Sequence, residues 1–375
     1  MIKVLYFGHQ NDIGGGERSL LQLIGNLNQK EIMPIVIVSR EGHFLDEIKK
    51  LNIKYYNLNL QEEFIKETAA NAFEKGIIQK IILIKNLLSA SKKLKKIIEL
   101  EKPQIVHTNT LKSALITTIA LFGTKIKHIY HDRTFTYNFV NKLIYRFASK
   151  IIVISEYVGS KYEKKDKLVR IYNGVESPEH YDGEINVKNR GGNLKIAFIG
   201  RLIPWKGPQL FVESALEILK FRKDVDFYLI GDDSIEKKEG FREQLIEKVM
   251  YSEYADKINF WGFKKDIYNI INQMDIIVVP SIEPEPFGRI VVEGMMMGKI
   301  VIASNIGGIP EIIKNGENGF LFEAGNATEL TKGLKLIIDN YDKLRNVRKN
   351  AIRTYREKFT ITNHVKNIEL IYKEL

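Results

Sequence analysis

The sequence has no cysteine among its 375 residues, only nine prolines, and no hydrophobic run as long as a membrane-spanning helix. The lack of cysteine excludes disulfides, thiolate zinc sites and cysteine nucleophiles, and it fits a reducing compartment. A spanning helix needs about 18 consecutive apolar residues, and the apolar start from Met1 to Gly8 is too short for a signal peptide. We therefore expect a cytoplasmic globular protein of two or three domains.

Positive charge is concentrated in the first half of the chain. The formal net charge is +11, and residues 1–176 hold 28 Lys and Arg against 17 Asp and Glu, whereas residues 177–375 hold 29 of each. A composition that is merely rich in lysine would not produce this asymmetry, because the second half is also rich in lysine. The first half is therefore predicted to face something anionic: a lipid surface, a pyrophosphate or nucleic acid.

Short apolar runs alternate with helical patterns through most of the chain. The runs are apolar at almost every position, which is typical of parallel strands buried on both faces. The helical patterns between them imply right-handed βαβ units. Ten strands are predicted, at Val4–Phe7, Ile35–Val38, Ile105–His107, Ile126–Tyr130, Ile151–Ile154, Ile196–Ile199, Phe227–Ile230, Ile258–Phe260, Ile276–Val279 and Ile300–Ala303.

The two halves of the chain begin alike. Lys3–Gly8 and Lys195–Gly200 are each an apolar strand followed by a glycine-containing loop and a helix, and the polar, turn-rich stretch 177–193 lies between the halves. We predict an α/β fold with two doubly wound Rossmann-like domains, 1–176 and 194–355. Ligands of such folds bind at the carboxyl ends of the strands, which we expect to face a central cleft.

Three consecutive glycines follow the first strand. Gly14, Gly15 and Gly16 precede a helix, so free backbone N–H groups and the positive end of the helix dipole could face a phosphate. The alternative is a flexible turn. The segment is neither a GxGxxG motif nor a P-loop, so it gives little support to a simple NAD site.

Two cations follow the first strand of the second half. Arg201 and Lys206 stand between this strand and a helix that opens at Pro208, where two positive side chains could clamp a pyrophosphate. The alternative is a pair of solvated surface charges.

The segment around Glu285 and Glu293 is the most specific in the chain. Glu285 is predicted in a loop and Glu293 within a helix, and the N–H groups of Phe287, Gly288 and Arg289 could face an anion at the helix start. Eight residues of helix span about 12 Å, whereas paired carboxylates in glycoside hydrolysis lie about 5–9.5 Å apart. The spacing therefore favours two carboxylates that hold the two ends of one elongated ligand.

The same segments make the chain resemble a known family, the "group 1" retaining glycosyltransferases of family 4, which have the GT-B fold. The resemblance spans nearly the whole chain and is most specific in the second half. The matching motifs are Gly14-Gly15-Gly16-Glu17-Arg18, Arg201 with Lys206-Gly207, Glu285 with Glu293, Gly307-Gly308-Ile309-Pro310-Glu311 and Asn315-Gly316-Glu317-Asn318-Gly319-Phe320-Leu321.

The resemblance implies a role for each matching residue. Glu293 would bind the ribose of a nucleotide sugar, Glu285 would contact the donor sugar, and Arg201 with Lys206 would neutralise the leaving diphosphate. His131 matches a histidine that touches the donor sugar, and Asn109 stands where the family often has a second histidine. The implied catalytic residues are Arg201, Lys206, Glu285 and His131, and the implied donor-binding residues are Gly15, Gly16, Gly262, Phe287, Gly288, Arg289 and Glu293.

The resemblance also implies the reaction. A sugar would pass with retention from a nucleoside diphosphate sugar, with a UDP-sugar favoured, to a saccharide or lipid-linked saccharide in surface glycan or polysaccharide assembly. The departing phosphate oxygen would take the acceptor proton on the same face. No cofactor and no metal are expected, since the histidines lack metal-ligand spacing and the resemblance implies a GT-B enzyme, which generally needs no metal.

Two further segments concern partners. In this fold the last helix, here 356–375, commonly packs back onto the first domain. The stretch Ile77–Leu100 is predicted to be a basic amphipathic helix whose apolar stripe (Ile81, Ile84, Leu88, Leu94 and Ile98) packs on the core, and its lysines are equally compatible with an anionic membrane surface. Peripheral contact with the inner face of the cytoplasmic membrane is therefore one expectation.

Two alternatives are compatible with parts of the pattern. A GT-B nucleotide-sugar epimerase or hydrolase would share the donor motifs. A non-catalytic basic protein that binds nucleic acid or anionic lipid would share the charge asymmetry, but the donor-site motifs disagree with it. We therefore expect no nucleic acid partner.

Overall fold

The computed structural model describes residues 1–8, 14–66, 76–178, 192–232 and 240–375. The chain folds into two compact units. The first comprises Met1–Gly174 together with Ile361–Leu375, and the second comprises Val175–Thr360. The boundaries predicted from the sequence lay at residues 176, 193 and 355, and most of the predicted linker (residues 179–191) lies outside the described residues.

The first unit is built on a seven-stranded parallel sheet in the order β3-β2-β1-β4-β5-β6-β7. Its strands are β1 (Ile2–Gly8), β2 (Ile32–Val38), β3 (Tyr55–Asn57), β4 (Ile105–Thr108), β5 (Lys127–Asp132), β6 (Lys150–Val153) and β7 (Leu168–Arg170). Its helices are α1 (Gly15–Gly25), α2 (His43–Lys50), α3 (Glu62–Lys66), α4 (Ile77–Glu101), α5 (Leu111–Ala120), α6 (Phe139–Phe147), α7 (Glu156–Ser160) and the C-terminal α14 (Ile361–Glu374).

The second unit repeats the plan with six parallel strands in the order β10-β9-β8-β11-β12-β13. The strands are β8 (Leu194–Ile199), β9 (Val225–Ile230), β10 (Ile258–Gly262), β11 (Ile276–Val279), β12 (Ile300–Ser304) and β13 (Phe320–Phe322). The helices are α8 (Pro208–Leu219), α9 (Phe241–Met250), α10 (Ile267–Gln273), α11 (Arg289–Met296), α12 (Ala327–Asn340) and α13 (Arg345–Lys358), with 3₁₀ turns at Pro204–Lys206, Ile309–Glu311 and Tyr341–Leu344.

Each unit buries its sheet on both faces, which explains why its central strands are apolar at almost every position. In the first unit α1, α2 and α14 cover one face, and α4 and α5 cover the other. In the second unit a large cluster built on β8, β9, β11 and β12 includes α8 and α12. The prediction of two doubly wound α/β units is therefore confirmed.

The strand order reverses at one place in each sheet. In the first unit this is where β1 pairs with β4, and in the second where β8 pairs with β11. In doubly wound folds the loops that leave the strands at such a switch point form the ligand site. The glycine loop follows β1, Arg201 follows β8 and Glu285 follows β11, so all three predicted motifs lie at switch points.

The C-terminal stretch differs from its prediction in one respect. A single helix was predicted over 356–375, but α13 ends at Lys358 and α14 begins at Ile361. The helix is interrupted because the Phe359 side chain is buried in the second unit, its carbonyl accepts a hydrogen bond from Val175 N at 2.8 Å, and Thr360 bridges to Val175. The helix α14 then packs in the core of the first unit.

Candidate active site

The turn that carries Lys206 is packed tightly against the end of β11. Gly207 has φ +74°, and a Cβ there would lie 1.9 Å from the carbonyl oxygen of Pro280. Ile282 N also donates to Trp205 O at 2.7 Å. Only glycine fits at position 207, and its lack of a side chain lets the turn after β8 lie close to the loop after β11.

This approach brings Lys206 and Glu285 together. Lys206 Nζ lies 2.5 Å from Glu285 Oε1, and Ser281 Oγ donates to the same oxygen at 2.6 Å. Both Ser281 and Glu285 are buried. Two residues that were singled out in separate segments thus form one ion pair, which rules out isolated solvated charge as the description of Lys206.

Both predicted cations lie close to the Trp205 indole ring. Lys206 Nζ is 4.4 Å from the ring centroid and the Arg201 guanidinium carbon is 5.6 Å from it, both within the range of cation–π contacts. Sequence reasoning did not assign Trp205 a role. Its position in the Arg-to-Lys interval was the available signal, since an aromatic ring between two cations can fix their spacing.

The Glu285 loop rests on two glycines from the motif after β12. Gly307 has φ +64°, and a Cβ there would lie 2.3 Å from Glu285 O, while a Cβ on Gly308 would lie 2.6 Å from Pro286 O. Gly308 N donates to Glu285 O at 2.8 Å. The Gly307-Gly308 pair therefore sets the backbone position of Glu285.

The helix α11 begins at Arg289 after Gly288, whose φ is +97°. Arg289 Nε donates to Glu293 Oε1 at 2.9 Å, one helical turn away, and Glu293 is buried. The 12 Å estimate for Glu285 and Glu293 assumed helix throughout, which is wrong because the first half of the interval is a loop. The two carboxylates nevertheless have different partners, Lys206 and Arg289.

Phe287 differs from the other predicted donor-binding residues. Its side chain is buried, and its ring packs edge-on against Phe359 with centroids 5.9 Å apart. The side chain therefore belongs to the core of the second unit, so only the Phe287 backbone could contact a ligand.

Glycines line the ends of three neighbouring strands. Gly231 N donates to Gly262 O at 3.0 Å, and a Cβ on Gly231, which has φ +139°, would lie 1.8 Å from Gly200 O. Gly262 itself has φ +64° and open space where a Cβ would point. The predicted residue Gly262 thus lies beside two other glycines, Gly200 and Gly231, whose backbones are in close contact. Sequence reasoning did not assign Gly231 to the site.

In the first unit, packing does not explain the glycines that open α1. Among the residues that the structure describes, a Cβ on Gly15 would meet nothing within 4 Å, and one on Gly16 would reach Arg133 Cδ only at the ordinary contact distance of 3.6 Å. The Glu17 carboxylate accepts from Gly14 N at 3.3 Å, and burial raises the pKa of Glu17. Space beside a helix N-terminus is what close approach of a ligand would require.

His131 lies at the end of β5 and is fully buried. Its Nδ1 is 3.3 Å from His107 Nε2 and 3.3 Å from Arg133 Nη2. Burial, and secondarily the charge of Arg133, hold the pKa of His131 well below its usual range. The ring is therefore neutral at physiological pH.

Arg133 organises this part of the first unit and was missed by sequence reasoning. Its guanidinium donates to Asn173 Oδ1, to Ser19 Oγ at 3.1 Å and to Asn109 Oδ1 at 3.3 Å. Asn109, which replaces the histidine frequent in the family, thus accepts a hydrogen bond from Arg133. His107 is buried, and each of its ring nitrogens has a hydrogen-bond partner.

The part of the chain that the structure describes contains neither a cluster of metal-ligating side chains nor a membrane-spanning helix. No group of three or more His, Asp or Glu side chains there could hold a metal ion. None of its helices combines the length and the hydropathy needed to cross a membrane.

Comparison with known proteins identifies the class. Residues 184–354 match the family model described as "Glycosyl transferases group 1", and residues 13–177 match "Glycosyltransferase Family 4". An uncharacterized glycosyltransferase of Methanocaldococcus jannaschii is 25% identical over 366 residues, covering 92% of this chain and 98% of its own. The UDP-Gal:alpha-D-GlcNAc-diphosphoundecaprenol alpha-1,3-galactosyltransferase of Escherichia coli is 27% identical, covering 88% and 92%.

Solved structures agree on the fold. A glycosyltransferase from Rickettsia africae superimposes with a TM-score of 0.81 at 26% identity, covering 100% of this chain and 98% of that one. Anabaena HepE in complex with UDP and glucose gives a TM-score of 0.80 at 21% identity over the whole of both chains. The fold and the matched segments define a glycosyltransferase of GT-B fold. The chain belongs to glycosyltransferase family 4.

Proposed function

We propose that this enzyme transfers a sugar from a UDP-sugar, with retention, to a saccharide or lipid-linked saccharide in surface glycan or polysaccharide assembly. The observation that carries the proposal is the ion pair of Lys206 with Glu285 beside Arg201, at the switch point of the second unit. The choice of UDP is supported by the name of the Escherichia coli relative and by the UDP bound to HepE. The lipid-linked acceptor is supported by that relative alone.

The proposed chemistry follows from charge. As the bond between the anomeric carbon and the diphosphate breaks, negative charge grows on the phosphate oxygens, and Lys206 and Arg201 stabilise that charge. The acceptor oxygen bonds to the same face of the anomeric carbon, and its proton passes to the departing phosphate oxygen. Fixed cations supply the charge that a metal supplies elsewhere, so we propose that the reaction is independent of metal.

Glu285 and Glu293 would divide the donor between them. Glu285 has its position set by Lys206, Ser281 and the Gly307-Gly308 backbone, and it would face the sugar. Glu293 is oriented by Arg289 and would accept hydrogen bonds from the ribose hydroxyls. A carboxylate that is already oriented loses little entropy on binding.

Binding and turnover of a panel of donors test the proposal. We expect UDP-sugars to raise the thermal midpoint more than GDP- or ADP-sugars, because a ligand of the native state stabilises it. Lys206→Ala and Glu293→Ala should abolish transfer while folding normally. Lys220→Ala, which removes an exposed lysine of an i,i+3 pair, is the matched control.

Several outcomes would contradict it. Near-normal turnover by Lys206→Ala would remove the role assigned to this lysine. Inversion of the anomeric centre in the product, read by NMR, would exclude retention, and loss of activity with a chelator would exclude metal independence. Rapid donor turnover without acceptor would favour a hydrolase or epimerase.

We also propose that the enzyme contacts an anionic membrane through the first half of α4. This helix has 25 residues, so it is about 37 Å long, but its buried residues are confined to Ala90–Glu101. Since α4 leads into the start of β4, its first half extends past the sheet at the edge where the strands end. Membrane docking at this edge would bring a lipid-linked acceptor close to the candidate site of the first unit.

The exposed half of α4 is both apolar and basic. Six large apolar side chains there are between 46% and 78% exposed, namely Ile77, Ile78, Ile81, Ile82, Ile84 and Leu88. Lys80 and Lys85 lie among them and are also exposed. Apolar side chains flanked by lysines are typical of helices that lie in the interface of an anionic bilayer.

Vesicle sedimentation tests the membrane proposal. We expect binding to vesicles that contain phosphatidylglycerol and little binding to pure phosphatidylcholine, and Ile78→Glu with Ile81→Glu should abolish it. Phe221→Glu with Met250→Glu, which alters two equally exposed apolar residues of the second unit, should leave binding unchanged. Equal binding by both double variants would contradict the proposal.

A further inference from the structure

We propose that Tyr372, on the C-terminal helix α14, is a positioning residue for His131. Acting through His107, it fixes the His131 ring in the tautomer that carries its proton on Nε2. The functional importance of that tautomer rests on the proposed function together with the contact between His131 and the donor sugar that the family resemblance implies. The hydrogen-bond assignment itself rests only on the arrangement of four buried or half-buried side chains.

Arg133 determines which nitrogen of His131 carries the proton. Its Nη2 lies 3.3 Å from His131 Nδ1, and a guanidinium can only donate hydrogen bonds. His131 Nδ1 must therefore present its lone pair. In a neutral imidazole the proton then resides on Nε2.

His107 also forms a hydrogen bond with His131. Its Nε2 lies 3.3 Å from the same His131 Nδ1. Since that atom presents a lone pair, His107 must offer an N–H from Nε2. The neutral His107 ring then has a lone pair on Nδ1.

Tyr372 is the donor to His107 in this series of hydrogen bonds. Its hydroxyl lies 2.6 Å from His107 Nδ1, and it must donate there because Nδ1 has no proton. The Tyr6 hydroxyl lies 2.9 Å from that of Tyr372, and both rings are fully buried. Because Tyr372 has one hydroxyl proton and directs it at His107, Tyr6 is the donor to the Tyr372 oxygen. Donation therefore runs from Tyr372 to His107 and from His107 to His131, while Arg133 donates from the other side.

The arrangement requires that both histidines remain neutral. Burial, and secondarily the positive charge of Arg133, lowers the pKa of His107 and of His131 well below the usual range. Burial raises the pKa of Tyr372 well above its usual value, so the hydroxyl keeps its proton. Each group is thus in the protonation state that the assignment needs.

One nitrogen of His131, Nε2, takes no part in this network. His131 Nε2 is buried and has no hydrogen-bond partner among the residues that the structure describes. An N–H that is held in a fixed direction without a protein partner can donate to a hydroxyl or phosphate oxygen of a ligand. Without the Tyr372 hydroxyl, His107 is free to take its other tautomer and to stop donating to His131.

NMR of imidazole nitrogens tests the assignment directly, since ¹⁵N shifts report which ring nitrogen carries the proton. In the full-length protein labelled with ¹⁵N-histidine, with His131 assigned from a His131→Gln variant, we expect the Nε2–H form. Tyr372→Phe, which removes only the hydroxyl, should convert His107 or His131 to a mixture of tautomers. Transfer should fall in kcat by about 10-fold, as for other partners that orient a functional histidine, with little change in KM.

Tyr341→Phe is the matched control. It removes another buried tyrosine hydroxyl, which donates to Asp275 in the second unit at 3.1 Å, and it should leave the histidine spectrum and kcat unchanged. His131 in the Nδ1–H form in the native protein, or an unaltered spectrum in Tyr372→Phe, would overturn the proposal. A shifted tautomer with unchanged kcat would keep the hydrogen-bond assignment but remove the donor-sugar role of His131, so the two failures are distinguishable.

Discussion

At the scale of single residues, the site depends on glycines whose missing side chains let segments approach. Gly307 allows the backbone of the β12 loop to contact the backbone of Glu285, and Gly207 allows the Lys206 turn to contact Pro280. The ion pair between Lys206 and Glu285 is therefore a consequence of backbone fit as much as of charge. A side chain at either glycine would separate the pair.

We predict that Gly307→Ala lowers both stability and transfer, whereas Gly316→Ala lowers stability only slightly. Both glycines have positive φ, +64° and +76°, which costs alanine about 1 kcal/mol. The new Cβ at 307 would lie 2.3 Å from Glu285 O, while at 316 nothing lies within 4 Å. We expect an additional loss of about 1–3 kcal/mol at 307, measured by urea unfolding, and equal losses at both positions would contradict the clash.

The residues that sequence reasoning missed show which contacts a sequence conceals. Lys206, Glu285 and Glu293 could be singled out because each stands in a recognisable local motif. Arg133 and Tyr372 could not, since the Arg133 partners Ser19 and Asn173 and the Tyr372 partner His107 are brought near only by the fold. Tyr372 lies 265 positions from His107, and no periodicity or spacing indicates such a contact.

At the scale of elements, the sequence predicted every central strand and missed three of the four edge strands. All ten predicted strands are present, and the three missed are β3, β7 and β13, each three residues long and each at the edge of its sheet. A strand of three residues is too short to show the apolar run that identifies a buried parallel strand. The helix α4 was predicted to bury its whole stripe, which is right for Leu94 and Ile98 and wrong for Ile81, Ile84 and Leu88.

We predict that substitution of leucine by alanine lowers stability far more in the buried half of α4 than in its exposed half. Leu94→Ala should destabilise the first unit by about 2–5 kcal/mol, because Leu94 is fully buried against the sheet. Leu88→Ala should change stability by no more than about 0.5 kcal/mol, because Leu88 is exposed. Urea unfolding of both variants is the measurement, and a comparable loss at Leu88 would show that its side chain is covered in solution.

At the scale of the whole molecule, the two units differ in their content of buried histidine. The buried histidines His107, His128, His131 and His364 all belong to the first unit, and the described residues of the second unit include no histidine. Burial lowers the pKa of His128 to about 3 and holds those of His107 and His131 well below the usual range. Acid should therefore act on the two units unequally.

We predict that lowering the pH from 7.5 to 5.5 destabilises the first unit more than the second. A histidine whose pKa is lower in the folded state binds more protons when unfolded, so its stabilising contribution is complete above about pH 6.5 and declines as the pH falls toward the folded pKa. For His128 the decline by pH 5.5 is about 1 kcal/mol. Amide hydrogen exchange, corrected for the intrinsic effect of pH, should show protection falling in β1, β4 and β5 and holding in β8, β9 and β11. His128→Asn should reduce the difference between the units, and a parallel loss of protection in both would mean that the histidines do not set the response to acid.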